Sequence, residues 1–390
     1  MQKEKLAIIL SRFPYPLDKG DKLRAFHQIK YLSKDYEISL FALSTKPVSD
    51  ENIKQLHPYC AHIQIYYIHP FSIGTGILKS LLSGLPIQVG YFYSAKIKKE
   101  IHANIEKRNI KKIYCQLSRT ALYANEIDCF KVIDFQDAFS INYLRQSQNT
   151  QFIHKLFFLR EYKTMKKFEE KMFSQFNYST IITEFDKEQL VKQNPKMKVI
   201  HNGVDTDFFN PRKKSSEFDI AFVGNLSYLP NKQAVLYIVK KIYPILKEKI
   251  PSIQINIAGA DTPQEFYQFS NENICISGFV DDIRDVYLST KIMIAPLFTG
   301  AGLQNKILEA MSMELPCITS EIVCHSLDAK HQLNLYVSST PEEFADYAIQ
   351  LLQDDELRIK TGKQARKFVL EHFSWEKANK NLSALLSLNK

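Results

Sequence analysis

Short, almost wholly apolar runs alternate with stretches whose apolar residues fall at helical intervals, and this pattern constrains the fold more than any other feature of the chain. KLAIILS, EISLFALS, IQIYYIH, KKIYCQL and FKVIDFQ read as strands in the first half; FDIAFVGNL, IQINIAG, NICISGF, IMIAPLF and PCITS read as strands in the second. Runs of this kind suit strands covered on both faces, and several intervening segments are long enough to be crossover helices. The pattern specifies a parallel α/β protein. A chain of 390 residues exceeds one hydrophobic core. Two doubly wound domains are therefore expected, with a polar linker near Asn210 to Glu217. Before that linker, the charged segment from Phe152 to Phe176 has the spacing of a long helix, and STIIT and KVIH read as further strands.

Composition narrows the class of protein. Hydrophobic residues make up 45% and charged residues 24%, as in an ordinary folded protein, and no repeat or low-complexity tract interrupts them. The run LAIIL, Leu6 to Leu10, is too short for a signal-peptide core, and no stretch has the length of a membrane-spanning helix. A cytoplasmic protein is the expectation. Six cysteines lie without a C-x-x-C pair, and ten histidines form no ligand spacing, so neither a disulfide framework nor a metal site is expected. Net charge is +9 and unevenly placed: residues 1–200 carry +12 and the remainder −3. A solvated basic face or an anionic membrane surface accounts for that asymmetry. Nucleic acid is the weaker explanation, because no nucleic-acid-binding motif accompanies the charge.

The polar loops after the strands are where ligands of open parallel sheets bind. KVIH runs into Asn202, Gly203 and Asp205, a sequence that also fits a plain tight turn. In the second half, FVGNLSYLPN ends a strand at Gly224 and Asn225, IAGAD ends one at Gly259 to Asp261, and SGFVDDIRDVY ends one at Gly278, ahead of Val280. TGAGLQNKILEAMSMELP then offers Gly300, Ala301 and Gly302 before a helix that begins with Leu303, Asn305 and Lys306. Glycines ahead of a helix N-terminus allow an anion to approach bare backbone. Lys306 and Glu309, three residues apart, share a face, so a cation and a carboxylate acceptor point the same way. The first half has its own loop, SRFPYPLDKGDKLR, with Gly20 at a helix start. Each loop taken singly is also an ordinary turn or cap; together they favour a bound nucleotide.

PYPLDKGDKLR, VIHNGVDTDFF, FVGNLSYLPN, SGFVDDIRDVY and GAGLQNKILEAMSMELP occur in an order that resembles the family 4 glycosyltransferases, over nearly the whole chain. The resemblance implies a GT-B fold: an α/β protein of two Rossmann-like, doubly wound domains facing a central cleft. Residues 1–210 would bind acceptor and residues 218–373 would bind the sugar nucleotide. Residues 374–390, which take in FSWEKANKNL from its serine onward, would form a helix crossing back to the first domain. It further implies transfer of a sugar from a nucleoside diphosphate with retention and without a metal. The donor would meet Gly20, Asn202, Gly203, Gly224, Asn225, Val280, Gly300, Ala301, Gly302, Leu303, Asn305, Lys306 and Glu309, with Lys306 on phosphate, Glu309 on ribose and Val280 on the base.

This chain departs from the family pattern in places. Ala301 stands eight positions before Glu309, where many relatives carry an acid. GNLSYLPNK lacks the usual arginine and lysine, leaving Asn225 and Lys232 as the nearest polar residues. VIDFQDAFS has Gln136 and Asp137 where relatives often have histidine, so Asp137 or Asp134, with Lys306, is expected at the reacting end. The pattern most resembles a bacterial subgroup associated with exopolysaccharide assembly, with a glycan or lipid-linked acceptor. HPFSIGTGILKSLLSGLPIQVGYFYSAKIKKEI adds an apolar stretch and the cations Lys96, Lys98 and Lys99, which suit either buried packing or peripheral contact with an anionic membrane. A sugar-nucleotide 2-epimerase and a noncatalytic sugar-nucleotide-binding subunit are the alternatives.

Overall fold

The computed structural model describes residues 3–148, 152–191, 194–212, 216–299 and 303–388. The chain forms two compact units, Met1–His201 with Ala378–Lys390, and Asn202–Lys377. The first contains β1 (Glu4–Leu10), β2 (Tyr36–Ser44), β3 (His62–Tyr67), β4 (Lys112–Gln116), β5 (Phe130–Gln136), β6 (Tyr178–Ile181) and β7 (Met197–Val199). They form a parallel sheet in the order β3-β2-β1-β4-β5-β6-β7. Inside it lies β1, where Ile8 sits between Leu40 and Tyr114 and Leu6 to Leu10 are buried. The strand order reverses between β1 and β4, so the crossovers leave in opposite directions. That leaves a crevice beyond the carboxyl end of β1, where the Gly20–Leu32 helix starts.

The second unit repeats the arrangement with β8 (Phe218–Val223), β9 (Ile255–Ala258), β10 (Ile274–Gly278), β11 (Thr290–Ala295), β12 (Cys317–Thr319) and β13 (Tyr336–Val337). The order is β10-β9-β8-β11-β12-β13, all parallel, and the reversal falls between β8 and β11. Strand β13 lacks an apolar run of its own and was not expected; pairing of Ile318 with Tyr336 creates it. The expected strands of both halves are present.

The domain boundary differs from the one expected. The chain enters the second unit after His201, not after Asn210. The cause is burial: Val204 belongs to the second core, Phe209 packs on it, and the Ser312 hydroxyl donates to Phe209 O at 2.7 Å. At the other end the boundary falls inside the Trp375–Leu386 helix, whose Leu382 and Leu386 lie in a core of the first unit. The six cysteines are free, and Cys275 is exposed on β10.

Candidate functional site

In the second unit the site begins where β8 gives way to Gly224. A Cβ there would lie 2.8 Å from Lys306 Nζ and 2.8 Å from Asn231 Nδ2, so only glycine lets those side chains lie across the strand end. At the neighbouring strand end Gly259 has φ +151°, and a Cβ on it would come within 1.6 Å of Gly224 O. Backbone thus meets backbone at the tips of β8 and β9, leaving a bare polar floor.

Lys306 lies in the first turn of the Asn305–Ser312 helix, over the Phe222 ring at 5.1 Å. Its Nζ donates to Asn231 Oδ1, and Asn231 Nδ2 donates in turn to Asn225 O at 2.7 Å. The Asn225 side chain is occupied by the loop itself: Nδ2 donates to Asp261 Oδ2 at 2.7 Å and Oδ1 accepts from Ser227 N at 2.9 Å. One turn along from Lys306, Glu309 accepts from Tyr287 Oη at 3.0 Å. Lys306 has no ion pair among the described residues. Burial lowers its pKa to about 8, a fall that Glu309 only partly opposes. Burial likewise raises Glu309, against the hydrogen bond from Tyr287 and the charge of Lys306. The arrangement is a cation over the strand-end floor with no ion pair among the described residues, opposed only by the charge of Glu309 one turn away. A phosphate would supply the missing charge.

Of the other expected donor residues, Asn305 has its Oδ1 buried without a hydrogen-bond partner among the described residues, while Leu303 and Val280 are half-buried and pack on the core. Gly300, Ala301 and Gly302 lie outside the described residues. Gly203 has a packing role: a Cβ would lie 2.5 Å from Trp375 Cα, and neighbouring Val204 N donates to Phe373 O. Asn202, beside it, is half-buried. Among the described residues no three His, Cys, Asp or Glu side chains group as a metal cage would require. Asn231, Tyr287 and Phe222 were missed. Asn231 adjoins the expected Lys232 and is the one that reaches Lys306, because it opens the helix that points back at Gly224.

In the first unit Asp134 has a different place from the one expected. It is fully buried and accepts from Arg24 Nε at 2.7 Å and Nη2 at 3.3 Å, from Tyr114 Oη at 2.8 Å and from Thr180 Oγ1 at 2.8 Å. A carboxylate so saturated ties three strands and a helix together and has no lone pair free for substrate. Asp137 is half-buried beyond β5, next to Gln136 at φ +63°. Burial first, then Asp186 and Asp134, push its pKa up to about 6. Gly20 is exposed, and a Cβ there would meet nothing within 4 Å, so packing does not require glycine at that position.

Beside the Gly20 loop lies a cavity of about 700 Å³, whose lining includes Arg12, Lys19, Lys22, Tyr91, Tyr143 and Phe157. Arg12 pairs with Asp21 and Lys22 with Asp18, both at 2.8 Å. The SRFPYPLDKGDKLR loop supplies one part of this lining, while the rest comes from loops and helices distant in sequence.

Residues 217–354 match the model of the family described as Glycosyl transferases group 1. Over 394 aligned residues, covering 96% of this chain and 97% of the relative, it is 21% identical to an uncharacterized 44.6 kDa protein of the cps region of Klebsiella pneumoniae. The chain is a glycosyltransferase of the GT-B fold. Sucrose-phosphate synthase from Thermosynechococcus elongatus superposes on this glycosyltransferase with a TM-score of 0.69, covering 98% of each chain at 14% identity. HepE of Anabaena, solved in complex with UDP and glucose, superposes with a TM-score of 0.66, covering 98% of this chain and all of its own at 14% identity. At that identity the likeness is one of fold.

Proposed function

We propose that the protein transfers a sugar from a nucleoside diphosphate to a glycan or lipid-linked acceptor during assembly of a surface polysaccharide, with retention at the anomeric carbon. The observation that carries this reading is Lys306, a half-buried cation with no ion pair among the described residues, over the bare Gly224–Gly259 floor. The donor diphosphate would take that place, with Glu309 accepting from the ribose hydroxyls and Val280 meeting the base. The cps-region relative and the UDP and glucose bound by HepE support the pathway and the donor class.

The chemistry needs charge stabilisation above all. As the bond from the anomeric carbon to phosphate breaks, negative charge builds on the leaving diphosphate, where Lys306 and backbone N–H groups meet it. The acceptor oxygen bonds to that carbon on the face the diphosphate leaves, and its proton passes to the departing phosphate. Asp137, with its raised pKa, is the first-domain group proposed to position the acceptor. No metal is required by this scheme.

A panel of UDP-, GDP- and ADP-sugars, tested for thermal stabilisation of the purified protein with chelator present, examines the reading. One donor should raise the melting temperature, and Lys306→Ala or Glu309→Ala should weaken donor binding or turnover at least tenfold, about 1.4 kcal/mol. Wild-type kinetics in both variants would overturn the assignment.

A further inference from the structure

The Pro70–Ser83 helix departs from a helix of a water-soluble domain, which turns its whole apolar stripe inward. The residues it buries are Gly76 and Ser80. A Cβ on Gly76 would lie 2.1 Å from Gly90 O, and one on Gly90 would lie 1.8 Å from Ser80 Oγ, so small residues bring this helix against the Ile87–Phe92 helix. Ile73 packs on the core at one edge, but four large apolar side chains are left outside: Phe71 is 76% exposed and Leu82 81%, with Leu78 and Leu81 also exposed. The Phe152–Gln175 helix is fastened beside it, since Arg160 Nη2 donates to Ser80 O at 2.8 Å and to Leu85 O at 3.2 Å. The first turns of that second helix expose Phe152, 75% accessible, and Leu156.

The charge of these segments is one-sided. No aspartate or glutamate occurs from Asn52 to Lys99 or from Ala138 to Arg160, in a chain that has 42 of them among 390 residues. Lys79 sits between Leu78 and Leu82, and Lys155 beside Leu156. The cations expected on the following helix contribute less, because Lys98 is paired with Glu126 at 2.7 Å. Protruding apolar side chains accompanied only by positive charge fit an anionic lipid surface, where burial in the acyl boundary and attraction to headgroups add. A second copy of the same face would instead bring like charges together.

We propose that the outer side of the Pro70–Ser83 helix and the first turns of the Phe152–Gln175 helix seat the protein on an anionic bilayer. Phe157 and Glu161, on the same helix, line the 700 Å³ cavity, so docking places that cavity beside the headgroups. The proposal does not depend on the sugar-transfer reading, since it is measured without donor or acceptor.

The test is co-sedimentation of the purified full chain with phosphatidylcholine vesicles, with and without phosphatidylglycerol. Wild type should pellet with the anionic vesicles and be released by high salt. Leu78→Asp combined with Leu82→Asp, and separately Phe152→Asp, should lower partitioning at least tenfold, with unchanged circular dichroism and melting. Ile322→Asp, an exposed apolar position in the second unit, should partition as wild type does. Failure of wild type to pellet, or wild-type partitioning of the double variant, overturns the proposal. So does a loss of self-association in the variants without loss of vesicle binding, which would assign the face to a second copy. Donor-induced thermal stabilisation, measured in parallel, reports on the second unit alone, so a failed docking test and a failed transfer reading are distinguishable.

Discussion

Replacing Lys306 by methionine should make the protein more stable while it abolishes donor binding. Burial lowers the pKa of this amine from 10.5 to about 8, so the folded state holds its proton less tightly than the unfolded chain does. Below pH 8 the group is charged in both states and the full penalty applies; between pH 8 and 10.5 the folded state sheds the proton and the penalty lifts. At 1.36 kcal/mol per pKa unit the penalty is up to about 3 kcal/mol, and the water still reaching the half-buried amine lowers it. Methionine keeps the stem over Phe222 but loses the hydrogen bond to Asn231, which costs about 1 kcal/mol. A net gain of roughly 1–2 kcal/mol remains at pH 7, or roughly 2–8 °C in the melting temperature of a domain this size. Differential scanning calorimetry at pH 7 and pH 10, with and without the donor identified by the panel, measures it. The gain should vanish at pH 10, and the donor should no longer shift the variant. A lower melting temperature at pH 7, or a difference that does not change with pH, would refute the account of Lys306 as a half-buried cation whose desolvation Glu309 only partly offsets.

Further outcomes follow from the same geometry. Donor affinity in the wild type should be flat below pH 8 and fall by up to about tenfold per pH unit above it, because the diphosphate binds the protonated amine; isothermal titration across pH 6–10 checks this. Gly224→Ala should weaken donor binding at least tenfold with little loss of stability, since the new methyl displaces only the ends of Lys306 and Asn231. Gly259→Ala should destabilise by more than about 3 kcal/mol in urea denaturation, because its Cβ overlaps the Gly224 carbonyl. Asp134→Asn should cost about 3–5 kcal/mol by leaving the buried Arg24 without its counter-ion. Asp137→Asn should stabilise by roughly 1–2 kcal/mol above pH 6 and not at all near pH 3. With the native carboxyl raised to about 6, the fold loses stability as pH rises from 4 to 6 and ionisation is forced on a half-buried group.

The parallel α/β architecture was legible because burial on both faces forces strands into apolar runs, and the expected segments became β1 to β12. Lys306 and Glu309 were legible as a pair because helical spacing fixes which side chains share a face. Asn231 was not, since its role depends on where the helix after β8 points, which is a matter of packing against Phe222 and Gly224. Asp134 misled for a related reason. In sequence it is an acid at a strand end, and only the arrival of Arg24, Tyr114 and Thr180 from three other elements turns it into a buried strut.

The domain boundary and the docking face show the same division. A polar stretch near residue 213 marks a break in composition, yet the chain changes unit at His201 because Val204 and Phe209 find cover in the second core. The stretch from Pro70 to Ser83 reads from sequence as apolar, suited either to buried packing or to contact with a membrane. Close contact of Gly76 and Ser80 with Gly90 uses the small side of the helix and leaves the leucines outside. Sequence by itself determined the period of each element, the order of the strands' apolar runs and the residues that share a helix face, because these follow from local backbone geometry. Which side of an element is buried, and which polar groups meet, was decided only by tertiary structure, because burial is a property of the partner surface and partners here lie up to hundreds of residues apart.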